Sequence, residues 1–257
     1  MKTFHYTLLI IFVLNYTNCS TFKKGDNDLR SINLIHKWDL VTVEDGQLIS
    51  ASDTLTIYYF QNLVLYKIPY TNEVSNVTTD KNGDVIDEKL MESETKYKYF
   101  IYEKDSSFGF KYDSINAKNN RRFSIDSFLT QKAFKGASFY QRGNDTMIAS
   151  SWNEDKSVLI EKYIPKIKFD QSYNDTSYLY FTSSLKKVDY SFSKELDSSK
   201  NMKLFKVRFI NNPLPRGVYS FDVPRREMMF EIRETPVTDS NEIIRFFERF
   251  KKCCVQK

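Results

Sequence analysis

The side chains that most often carry chemistry are scarce in this chain, and their spacing narrows what they can do. Histidine occurs twice, as His5 and His36. His5 falls in an apolar leader, so His36 alone would remain after processing. One histidine excludes a multi-histidine zinc site and makes any histidine-based triad depend on His36. Two residues before Trp38, it is expected as a solvated residue at a strand edge. Glycine is nearly as rare, with seven in all, and the two nearest in sequence are Gly136 and Gly143. Neither a phosphate-cradling loop nor a dinucleotide fingerprint can be written at that spacing. Cys19, Cys253 and Cys254 are the cysteines, too few and too unevenly spread for a disulfide framework. Carboxylates are plentiful. A hydrolase working through two acids, without metal or histidine, is therefore the enzyme class that the inventory permits. The stretch Asp80-Lys81-Asn82-Gly83-Asp84-Val85-Ile86-Asp87 has some calcium-loop character but lacks the terminal bidentate glutamate, and predicts a hairpin turn. No cofactor is expected.

Cys19 has a different use. Lys2 precedes the apolar run Leu8 to Leu14, and polar Asn15, Thr17 and Asn18 follow it. A charged start, a short apolar core and a polar exit form a secretory signal over residues 1–18. The run is well short of the roughly 20 apolar residues that a membrane-spanning helix needs. The stretch Leu14-Asn15-Tyr16-Thr17-Asn18-Cys19 resembles the lipobox of bacterial lipoproteins. Tyr16 and Asn18 differ from the leucine-like and small residues of the family pattern. The Lys-, Asn-, Tyr- and Phe-rich composition is similar to that of Bacteroidetes envelope proteins. The resemblance implies acylation of Cys19, a polar tether over 19–33, and a protein held on the cell envelope, facing periplasm or surface. Simple secretion is the alternative. Each buried methylene of an acyl chain contributes about 0.8 kcal/mol, so a multiply acylated cysteine anchors a protein without a spanning helix.

The elements that must position everything else are strands. Tyr97, Tyr99 and Ile101 alternate with polar neighbours, as do Phe108, Phe110 and Tyr112, with Asp105-Ser106 as the turn between them. The same period of two recurs through Phe205, Val207 and Phe209 and through Met228, Phe230 and Ile232, and half-buried faces of this kind belong to antiparallel sheets. Further strands are expected over 36–43, 55–60, 63–68, 146–152, 157–164, 178–182, 187–193 and 218–222. Residues 71–94 read as one weak hairpin around Asn82-Gly83. The fold class is mainly β: antiparallel sheets, barrel or sandwich, with a C-terminal amphipathic helix. One β-rich domain over 34–257 is expected, with two β-units divided near 153–175 as the alternative. The stretch from His36 to Gly46 (HKWDLVTVEDG) is similar to the opening strand of lipocalin-like domains, which implies a barrel.

Helices are expected over 125–134 and 240–254. In the second, Ile243, Phe247, Phe250 and Cys254 form one stripe, leaving Cys253 exposed and available for an intermolecular disulfide in an oxidising compartment. The net charge of +5 is spread along the chain, which argues against a nucleic-acid footprint. A non-catalytic binding or structural role is the functional expectation. The 17 tyrosines and 21 phenylalanines could line a cavity for an apolar small molecule or meet another envelope protein.

Overall fold

The computed structural model describes residues 29–42, 46–131, 144–168, 174–217 and 220–255. Eleven strands are present: β1 (Arg30–Val41), β2 (Leu48–Phe60), β3 (Leu63–Thr79), β4 (Val85–Glu103), β5 (Phe108–Tyr112), β6 (Arg121–Ser124), β7 (Asp145–Trp152), β8 (Val158–Pro165), β9 (Thr176–Thr182), β10 (Lys203–Asn211) and β11 (Arg226–Thr235). They form one antiparallel sheet in the order β6-β5-β4-β3-β2-β1-β11-β10-β9-β8-β7. Every neighbouring pair is consecutive in the chain except β1 and β11, where Ser31 lies opposite Thr235 and Trp38 opposite Met228. The mainly-β antiparallel class holds, but the sheet is neither a barrel nor a sandwich. Among the described residues no ladder joins β6 to β7, so both are open edges.

Alternation assigns the side chains to two faces. Ile32 lies opposite Ile57, and Leu34 opposite Leu55 and Ile232, all on the inner face. On β2 and β3 the run Ile57 to Phe60 and Leu63 to Tyr66 is buried residue after residue, because both faces are covered there. The inner face meets α1 (Ile125–Gln131), the irregular segment 183–193 and α2 (Lys194–Lys200), which contribute Phe128, Val188, Tyr190, Phe192 and Leu196 to one core. The outer face of β2 to β5 meets α3 (Ser240–Phe250), whose Ile243, Phe246, Phe247 and Phe250 pack on Leu63, Leu65, Tyr99, Ile101 and Tyr112. Four such burials contribute roughly 1.5–3 kcal/mol each.

Several expectations change. β1 begins at Arg30, and Ser31 and Ile32 are buried, so the stretch 30–33 belongs to the sheet and not to a tether. His36 lies on a central strand, not an edge, half-buried with its ring stacked on Phe230 at 4.2 Å. Residues 71–94 hold the hairpin expected around Asn82-Gly83, and its pairing runs well beyond that stretch. They continue β3 and β4 as a long exposed ribbon, paired from Leu63–Glu103 to Thr79–Val85. At its tip the Asp80 carboxylate accepts the Asn82 and Asp84 N–H groups, and Gly83 takes φ of 89°. The carboxylate thus caps a turn. Residues 187–193 form no strand. Of the stretch 218–222, positions 220–222 are irregular, and 218–219 lie outside the described residues. The helix expected over 240–254 gives way at Lys251 to a π-helical turn, Lys251–Val255. β8 falls within the stretch 153–175.

Candidate functional site

A cavity of about 770 Å³ lies between the inner face of β2, β3 and β4 and a roof made of α1 and residues 189–195. That size is ordinary for a small-molecule site, about 300–1,000 Å³. Its wall comes from Tyr59, Val64, Tyr66 and Tyr102 on the strands, Ile125 and Leu129 on α1, and Tyr190 and Phe192 on the roof. The strand residues face one way because they are cross-strand partners: Tyr59 opposite Val64, and Val64 opposite Tyr102.

α1 is seated by aromatic contacts. Phe128 stacks on Phe100 at 4.5 Å and meets Tyr66 edge-on at 5.1 Å and Phe123 at 5.1 Å. Phe123 can lie across β5 only because Gly109 stands beneath it. A Cβ there would come within 2.6 Å of both the Phe123 ring and the Ile101 carbonyl.

The roof segment alternates like a strand and buries Val188, Tyr190 and Phe192, yet its backbone has no ladder. Side chains satisfy it instead. The Tyr190 N–H donates to the Tyr59 hydroxyl, and the Lys203 ammonium donates to the Tyr190 carbonyl at 3.0 Å. Buried Lys203 also pairs with Asp197 at 2.8 Å, and Lys200 pairs with Glu161, a carboxylate buried on the inner face. The Tyr163 hydroxyl donates to Glu161 at 2.8 Å. Two ion pairs therefore hold α2 onto β8 and β10. The Ser193 side chain caps its first turn by accepting the Leu196 N–H, as expected of serine at that position.

The polar character of the cavity is specific. Burial pushes the phenols of Tyr59, Tyr66, Tyr102 and Tyr190 above their ordinary range, because a buried phenolate would be poorly solvated. All four stay neutral near pH 7. The Tyr66 and Tyr102 hydroxyls share a hydrogen bond. Formal charge appears only at the exposed rim, on Lys104, Asp105, Asp126, Asp189, Lys194 and Glu195. Lys104 and Asp189 pair there at 2.7 Å, and the Lys104 ammonium stands 5.9 Å from the Tyr59 ring centre.

Residues singled out in the sequence lie elsewhere. Cys19 is outside the described residues. Cys253 is exposed on the π-helical turn, and the side chain of Cys254 is outside the description. Two arginines away from the cavity have local partners: Arg122 lies over the Phe108 ring at 3.6 Å, and Arg225 pairs with Glu227 at 2.6 Å. Among the described residues no three His, Cys, Asp or Glu side chains are grouped as a metal site would require. The cavity residues were visible in the sequence only as tyrosine-rich alternation, which marks a strand face without marking which face is hollow. No model of a known protein family matches the chain, and no curated protein matches it in sequence.

Proposed function

We propose that the protein is an exported envelope protein, anchored through an acylated Cys19 or secreted, that holds an apolar small molecule without transforming it. The observation that carries this reading is the cavity of about 770 Å³, walled by aliphatic and neutral phenolic side chains and charged only at its mouth. A pocket that is mainly apolar with a few placed polar groups suits an amphiphilic ligand. What speaks for binding over hydrolysis by paired carboxylates is that the cavity acids Asp105, Asp126, Asp189 and Glu195 are all exposed, and that Asp189 is engaged by Lys104. A general acid held protonated by burial would be expected deeper in the wall.

The test is titration of the purified protein with the neutral fluorescent probe N-phenyl-1-naphthylamine. Saturable enhancement is expected, and it should be lost in Leu129→Trp, which fills the space beneath α1. A melting curve checks that the variant is folded, and Ile125→Trp offers a second blocking position. Absence of any enhancement in the native protein, or enhancement unchanged in both folded variants, overturns the reading. Mass spectrometry of the mature N-terminus tests the anchor: acylated Cys19 supports it, and an intact Met1 refutes export.

A further inference from the structure

The charge at the cavity mouth runs against that of the whole molecule. The chain carries a net +5, whereas the rim gathers four carboxylates, Asp105, Asp126, Asp189 and Glu195, and two ammonium groups, Lys104 and Lys194. With four carboxylates against two ammonium groups the rim carries an excess of negative charge, and such an excess around a cleft biases the sign of what enters. A negative mouth on a positive protein disfavours fatty acids and other anionic amphiphiles, even though the apolar wall would accept their chains.

The wall adds a second preference of the same sign. Ring faces carry negative quadrupole potential and attract a cation within about 6 Å of the centroid. The Tyr59 ring already has one such neighbour in the Lys104 ammonium, 5.9 Å from its centre. The phenols of Tyr66 and Tyr102 remain un-ionised, so they offer ring faces and hydroxyls to a ligand without adding formal charge. The lining thus combines exposed carboxylates, tyrosine rings and the aliphatic side chains of Val64, Ile125 and Leu129.

From this combination we infer that the cavity takes a cationic amphiphile, an alkylamine or alkylammonium, with its chain among Val64, Ile125 and Leu129 and its charged head between the tyrosine rings and the rim carboxylates. The inference rests on the cavity being a ligand site, as proposed above. It concerns which class of ligand fits.

Isothermal titration calorimetry of the purified protein at low ionic strength separates the two claims. Three probes of equal chain length are used: decyltrimethylammonium, decanol and decanoate, each below its micelle concentration. The ammonium is expected to bind best and decanoate worst, with about tenfold between them. The gap should narrow as salt is added, because the rim charges are exposed. It should also narrow in the double variant Asp126→Asn with Glu195→Gln, both exposed positions, once a melting curve has shown that variant to be folded. Decanoate binding as tightly as the ammonium, or a preference unchanged in the double variant, overturns the cationic assignment and leaves the ligand reading standing. Failure of all three probes to bind overturns the ligand reading itself, and this inference with it.

Discussion

At the scale of single residues, His36 shows how neighbours redefine a side chain. In isolation it reads as a solvated titratable group. In the sheet it stacks on Phe230 at 4.2 Å and meets Trp38 at 4.4 Å. Burial lowers its pKa from the ordinary 6.5, partly offset by the carboxylate of Asp53 directly across on β2. The unfolded chain therefore binds the proton more readily than the folded one, so stability must fall as pH drops below about 6.5. Melting temperatures from pH 7.5 down to 5 should decline, and the decline should be shallower for His36→Phe, which keeps the stack and removes the titration. An identical slope in both proteins would mean that His36 is not the group responsible. The cavity tyrosines are the opposite case. Burial raises their pKa values, away from physiological pH, so the wall keeps one charge state throughout the neutral range.

At the scale of elements, covering both faces of one sheet region and roofing the other side with a polar-pinned helix are different solutions to burial. α3 is held by four buried apolar side chains, whereas α2 buries only Leu196 and depends on Lys203–Asp197 and Lys200–Glu161. Removing one member of a buried pair strands the other, so Lys203→Ala is expected to destabilise the protein by about 3–5 kcal/mol. Urea titration measures this, and a loss under 1 kcal/mol would show that water replaces the ammonium without difficulty. The same contrast explains what was legible. α3 announces itself by its stripe, although the sequence stripe omits Phe246 and runs on to Cys254 within the π-helical turn. α2 has no stripe to read, because lysine, aspartate and serine make its contacts. Residues 187–193 alternate as a strand does, since one side is buried, but nothing local in the sequence says that Lys203 and Tyr59 take up the Tyr190 backbone in place of a ladder. The sequence marks the turn of ribbon 71–94 at Asn82-Gly83 but not its length. Cross-strand pairing suffices to order it, and two register shifts, at Val74/Ser75 and Thr78/Thr79, accompany its length. Its two edges are open beyond Lys67 and Tyr99, and bulges and carboxylates are devices that discourage edge-to-edge pairing.

At the scale of the molecule, the period-two pattern conveyed the class and the antiparallel sense but not the closure. Barrel, sandwich and open sheet all satisfy the same alternation, and the choice among them depends on which remote strands meet. One junction decides it here. All other ladders connect neighbours in the chain, yet Ser31 and Thr235, bonded across the β1–β11 seam, are 204 positions apart. Bringing such distant segments together carries a loop-closure entropy that grows with the logarithm of the intervening length. Each meander can zip up by short hairpins first. The central ladder of the finished protein is therefore expected to be the last to form in time, and the two halves spend the interval with β1 and β11 as bare edges. Stopped-flow kinetics test this order. Ile232→Val, at the seam, should mainly accelerate unfolding, whereas Ile101→Val, in the β3–β4 hairpin, should slow folding as well. A seam variant that slowed folding as strongly as the hairpin variant would place the junction in the nucleus instead. On the expected order, the middle of the sheet is the place where a half-made chain is most open to pairing with another.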